Sequence, residues 1–275
     1  MNVKTGEVAA AKGGNAQTLR LWLERLGSGF ERAASILVVL LVWEVLPRAE
    51  LIDRFILPTF SDVISGLAGL FITGEMFKHI AVSFGRAFTG FIAAVSFSII
   101  LGIFMGWFKR LERYVNPLLE LGRNTPILAL YPVFIMFFGV GEVSKVAIIF
   151  WGTIWPILLN TIGGVKNVDP LLIKSARSMG ISLFPLFRKV ILPAATPAII
   201  TGLRLSATTS ILILVAAEML NANAGLGFMI FYNETKYKIP EMYSGIITLS
   251  ILGFLINYLL IALENRLTRW KEQAN

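Results

Sequence analysis

Glu218 stands in an otherwise apolar run, Val215 to Leu220, and is followed closely by Asn221 and Asn223. An ionisable side chain at membrane depth is costly and therefore suggests a task. It reads either as a group near a solute pathway or outer gate, or as an interfacial residue reaching water. Arg204, earlier in the longer apolar span Ala194 to Leu220, reads as snorkelling to headgroups or binding a backbone carbonyl, ahead of direct contact with an anion. Thr208, Thr209 and Ser210 form a hydroxyl cluster, although such residues commonly bond their own helix backbone. Asn124, Thr125 and Tyr131 open a short apolar stretch broken by Pro126 and Pro132. Irregular helices are where transporters place sites, so this stretch joins Glu218, Asn221, Thr208 and Thr209 as a candidate pathway.

Catalytic chemistry has little support. His79 is the single histidine and cysteine is absent, which leaves no thiol nucleophile and no plausible zinc set. Asp53, Asp62 and Asp169 are expected in loops, so no paired intramembrane carboxylates arise. Gly225-Leu226-Gly227 reads as a turn and not as a phosphate loop, because no strand precedes it. The P-loop pattern Gly-x-x-x-x-Gly-Lys-Ser/Thr does not occur, so this sequence carries no ATP site of that kind.

The elements that must position these groups are membrane helices. Mean hydropathy is +0.72; hydrophobic residues make up 56% of 275 and charged residues 15%, against about 25% charged in an ordinary soluble domain. Ala87 to Phe108, Val146 to Val165 and Met242 to Leu263 are free of charge and long enough to cross a core of about 30 Å. Ala33 to Pro47, Thr125 to Val140 and Ala194 to Leu220 are less clean candidates, giving about six transmembrane helices in an all-α protein. Gly85, Gly90, Gly102 and Gly106 are expected to permit close helix packing.

Basic residues set the orientation. Alternating from a cytoplasmic N-terminus puts most of the 25 Lys and Arg residues in inside segments 1–32, 109–123, 165–193 and 264–275. The expected organisation is a cytoplasmic segment 1–32, a transmembrane domain 33–263 containing a cytoplasmic loop 165–193, and a tail 264–275. The net charge of +8 then reflects topology and anionic lipid, with no module that would bind nucleic acid.

One inside loop is more than a connection. Asp169 can cap a helix that begins at Pro170 and ends at Gly180. Leu171, Ser175 and Met179 fall along one stripe with Leu172 and Ala176 beside it, while Lys174, Arg177 and Ser178 point elsewhere. Ser182 could cap a second helix to Val190, with Pro193 and Pro197 turning the chain back into the membrane. Such a helix suits a groove on a soluble partner, or the plane of the headgroups.

Lys174-Ser175-Ala176, then Gly180, Val190 and Leu192-Pro193, resembles the cytoplasmic loop of the permease subunits of binding-protein-dependent ABC importers. In that family the first position is acidic; here it is Lys174. Further ordered matches, among them Leu57 to Val63, Phe138 to Lys145, Thr201 to Leu205 and Val215 to Leu220, resemble the nitrate, sulfonate and taurine branch. The resemblance implies a type I importer permease fold and a homodimer in the bacterial inner membrane. It implies cytoplasmic ATPase subunits that bind ATP and Mg, docked on a coupling loop comprising Asp169, Pro170, Lys174, Ser175, Ala176, Arg177, Met179, Gly180, Leu192 and Pro193. An extracytoplasmic binding protein would deliver a small anionic solute. The alternative reading is a secondary transporter driven by an ion gradient, which would call for inverted repeats and mid-membrane acids.

Overall fold

The computed structural model describes residues 34–272, with side chains to residue 266, so segment 1–32 lies outside the described residues. The described chain is helical, and residues up to Ser65 and from Gly66 onward form separate compact units. In the first unit, α1 (residues 34–48) is joined by a bent connection to the start of α2 (Phe60–Ile72), a helix that crosses the boundary at Gly66. Trp43 Nε1 donates to the Pro58 carbonyl at 3.0 Å, and the Glu44 carboxylate accepts both the Ser61 amide and hydroxyl. Asp62 lies in the first turn of α2 instead of a loop, where its charge suits the helix dipole.

The second unit is built on three long helices. These are α3 (Glu75–Trp107), α6 (Glu142–Lys166) and α9 (Leu192–Asn221), with α6 packed between the other two. No hydrophobic force drives helices together in lipid, so small residues and interhelical hydrogen bonds take over. Gly90, Gly102 and Gly106 on α3 lie so close to Ile149, Thr161 and Val165 of α6 that a methyl group would clash. Ser98 donates to the Ile154 carbonyl at 3.1 Å and Ser206 of α9 to the Thr153 carbonyl at 2.7 Å, tying both neighbours to α6. Gly85 departs from the expectation: no atom lies within contact distance of its missing side chain, and it faces an open cleft.

Phe108 ends α3, and α4 (Lys109–Asn124) leads at a 100° bend into α5 (Ile127–Phe138). Pro126 causes the bend, because it forces Thr125 into an extended conformation with ψ 128°. Among the described residues, four helices are long and apolar enough to cross a membrane, or five if the bent pair counts as one span. The remaining expected span, Ala33 to Pro47, begins at the boundary of the described residues, where α1 is helical over 34–48.

After α7 (Pro170–Ser178) and α8 (Leu183–Leu186) the chain does not turn at Pro193. A π-turn at Phe187–Ile191, with the Leu192 amide bonded to the Phe187 carbonyl, runs straight into α9, making one helical stretch Leu183–Asn221. Pro193 directly follows that π-turn, at the second residue of α9. An unexpected short helix, α10 (Leu226–Thr235), packs against α3, α9 and α11 (Ile239–Glu272). α11 contains the expected span Met242 to Leu263 and leaves most of its apolar surface exposed, as a lipid-facing helix would.

Candidate functional site

Two regions carry unusual chemistry, and the first is ionic. Glu218, near the end of α9, is fully buried, so it does not reach water as an interfacial residue would. Arg86 of α3, only 6% exposed, meets it with Nη1 at 2.7 Å from Oε1. A bare carboxylate in this position would be prohibitively expensive, and both oxygens of Glu218 are engaged. Ser83, one helical turn before Arg86, donates to the carboxylate at 2.8 Å, and the Gly227 amide donates to Oε2 at 2.9 Å. Gly225 adopts φ +120° and lies against the carboxylate, where any side chain would collide with it. Gly225 precedes α10 and Leu226 and Gly227 form its first turn, so the segment expected as a turn is a helix start whose Gly227 amide holds an internal anion. His79 fastens the same segment by accepting the Gly225 amide at Nδ1, 3.0 Å away.

The other edge of Arg86 faces outward. Its Nε and Nη2 donate to the two oxygens of Glu142 at 2.5 and 2.6 Å, a bidentate pair, while Nη1 also donates to the Ala224 carbonyl at 2.6 Å. Glu142 is 62% exposed at the start of α6. Lys145, 5% exposed, donates to the Gly141 carbonyl at 3.0 Å and lies 3.7 Å from Glu142. These groups line a cleft of about 690 Å³ together with Gly85, Thr89, Asn221 and Asn223.

The second region is the loop around α7. Asp169 accepts the Leu171 amide at 2.8 Å and caps the helix, with Pro170 in its first turn. At the other end, the Gly180 amide bonds the Arg177 carbonyl at 3.0 Å and the Ile181 amide the Ala176 carbonyl at 3.3 Å. This is a Schellman motif, and Gly180 takes the required φ of +74°. Ala176 turns inward against Val165, Val168 and Leu186, so it does not belong to the outward stripe expected of it. Leu171, Leu172 and Met179 remain exposed, Met179 at 79%, with Lys174, Ser175 and Arg177 also outward. Ser182 makes no side-chain cap to α8, and Leu183 and Phe184 extend the exposed apolar surface.

A family model described as a binding-protein-dependent transport system inner membrane component matches residues 95–273. The chain belongs to that family. The permease is 34% identical over 234 residues to SsuC of Bacillus subtilis, described as an aliphatic sulfonates transport permease protein, with 85% of each chain covered. It is 34% identical over 241 residues to the taurine transport system permease protein TauC of Escherichia coli, covering 86% of this chain and 88% of that one. The formylaminopyrimidine transport permease protein ThiX of Halalkalibacterium halodurans is 29% identical over 252 residues, covering 91% and 100%. In fold the permease resembles a chain of the inward-facing MetNI methionine ABC transporter, with a TM-score of 0.59 at 20% identity over 71% of this chain and 95% of that one. As an ABC importer permease it is a transport subunit of the inner membrane.

The candidate pathway residues do not converge. Asn221 lines the cleft, Glu218 lies behind its wall, and buried Tyr131 donates its hydroxyl to the Ala217 carbonyl of α9 at 3.3 Å. Asn124 and Thr125 bond the Glu120 and Leu121 carbonyls at the α4–α5 bend. Thr208 and Thr209 bond the Arg204 and Leu205 carbonyls of their own helix, and Thr208 lies in a separate groove between α9 and α11. Arg204 pairs with Glu264 at 2.7 Å, in place of the headgroup or carbonyl contact expected. Arg86, Glu142 and Lys145 escaped the sequence reading. The available signal was that Glu218 needed a cation, and alternating spans put Arg86 at the same end of the bundle.

Proposed function

We propose that two copies of this permease form the pathway for a small anionic solute of the sulfonate or taurine kind, delivered by an extracytoplasmic binding protein. The printed roles of the SsuC and TauC relatives, and two cationic side chains in one cleft, support the solute class. ATP and Mg are bound by separate cytoplasmic ATPase subunits. The observation that carries this coupling is α7: a helix fixed at both ends, carrying outward Leu171, Leu172 and Met179, beside a helical stretch that continues from Leu183 to Asn221. Exposed anchors on a rigid helix suit a groove on a soluble partner. Movement imposed on α7 when the ATPases close is passed along that stretch toward Glu218 and the cleft, switching the bundle from inward- to outward-facing. Both termini and the 165–193 loop lie in the cytoplasm, following the distribution of basic residues.

Reconstitution of the permease with its ATPase and binding protein in proteoliposomes tests this reading. Uptake of labelled taurine or ethanesulfonate is expected to require ATP and to survive collapse of ion gradients. Uptake that needs a gradient and ignores ATP would establish the secondary-transporter alternative instead.

A further inference from the structure

The cleft contains an arginine edge and a lysine beneath one exposed carboxylate. Arg86 is already neutralised on its inner side by buried Glu218, which is itself held by Ser83 and the Gly227 amide. The inner half of the cluster is complete without Glu142. Glu142 occupies only the outward Nε–Nη2 edge of Arg86 and lies beside Lys145, and it alone of the four charged groups is largely exposed. A guanidinium edge beside an ammonium matches two or three oxygens of a sulfonate as well as it matches a carboxylate.

We propose that the Arg86 edge and Lys145 form an anion-binding site of the permease, and that Glu142 is its internal placeholder, displaced when a sulfonate arrives. This rests on the anionic-solute reading above and assigns that solute its contacts. Glu142 can swing into the open cleft because its side chain already meets water, and the incoming anion takes over the two guanidinium bonds that it gives up. The incoming anion replaces one negative charge with another, so Arg86 and Lys145 are never left uncompensated. Asn221 and Asn223, lining the same cleft, offer neutral amide donors to the rest of the solute, and the Thr89 hydroxyl, which donates to the Gly85 carbonyl, offers an acceptor. A placeholder also keeps the site weak, which suits a pathway that must release what it binds.

A structural role for these residues and a binding role predict different signs. Binding of labelled ethanesulfonate to the permease–ATPase complex in nanodiscs, without the binding protein, gives the direct measurement. Glu142→Gln removes the competing charge and is expected to tighten binding by about tenfold, while Lys145→Met weakens it by about tenfold, each the scale of one charge-assisted hydrogen bond. Lys145→Arg should restore wild-type binding. A neutral methyl sulfone of the same size should show none of these changes. If both variants bind as wild type does, or both bind more weakly while their melting temperatures are unchanged, the site is overturned. Sulfonate uptake by the wild-type complete transporter in that case leaves the solute class standing. No uptake of any sulfonate by the wild-type transporter overturns the solute class and the site together.

Discussion

The α7 loop and the Arg86 cluster lie at opposite ends of the helical stretch Leu183–Asn221, and they are built on opposite principles. The loop presents apolar side chains outward on a helix capped by the Asp169 carboxylate at one end and by backbone bonds around Gly180 at the other. The cluster hides charge, drawing α3, α6, α9 and the first turn of α10 into one network. Surface damage at the loop should therefore cost assembly without stability, and damage inside the cluster should cost stability first.

The largest expected effect tests the buried half. Arg86→Met leaves the Glu218 carboxylate buried without its cation, at a cost of about 3–5 kcal/mol. Thermal melting of the purified permease reads this directly, and Arg86→Met combined with Glu218→Met should recover much of the loss. An Arg86→Met variant that melts with the wild type would show that the cluster is not desolvated.

Next comes the exposed half. Met179→Asp should weaken capture of the ATPase by about 2 kcal/mol or more, as removal of an interface anchor does, with melting unchanged. Co-purification and melting on the same sample separate the two quantities. Loss of melting temperature would instead place Met179 in the fold and blur the contrast. A smaller effect sharpens it: Asp169→Ala removes the α7 cap at about 1 kcal/mol, felt in the loop and in ATPase binding but not in the cluster. Smallest of all, Glu264→Gln breaks a pair in which Arg204 remains 36% exposed, and should shift melting by less than about 1 kcal/mol.

The two regions also differ in how far they could be read from sequence. The loop is local: Asp169, Pro170 and Gly180 are cap signals that act within a few residues, and the structure reproduces them bond by bond. Ala176 was misplaced because amphipathic spacing tells which residues share a face, not which face the rest of the protein covers. The expected turn at Pro193 failed for a related reason, since a π-turn before a proline lets the helix continue. The cluster is non-local. Glu218 was visible as a costly residue, but Arg86 is 132 positions away and Glu142 is 56 from Arg86, separations over which no periodicity speaks. Cleft residues such as Gly85 look the same in sequence as packing residues such as Gly90, and only the neighbouring helix distinguishes them.

The absence of cysteine makes the central claim directly testable, since any introduced thiol is unique. Single Met179→Cys and Lys236→Cys variants, both at exposed positions, can be labelled with a membrane-impermeant maleimide in intact cells and in inverted vesicles. Position 179 should label only in inverted vesicles stripped of the ATPase and become protected when the ATPase is added back, while position 236 labels from outside the cell. Labelling of position 179 from outside, or labelling that the ATPase leaves unchanged, would contradict the assignment of this loop as the cytoplasmic coupling surface.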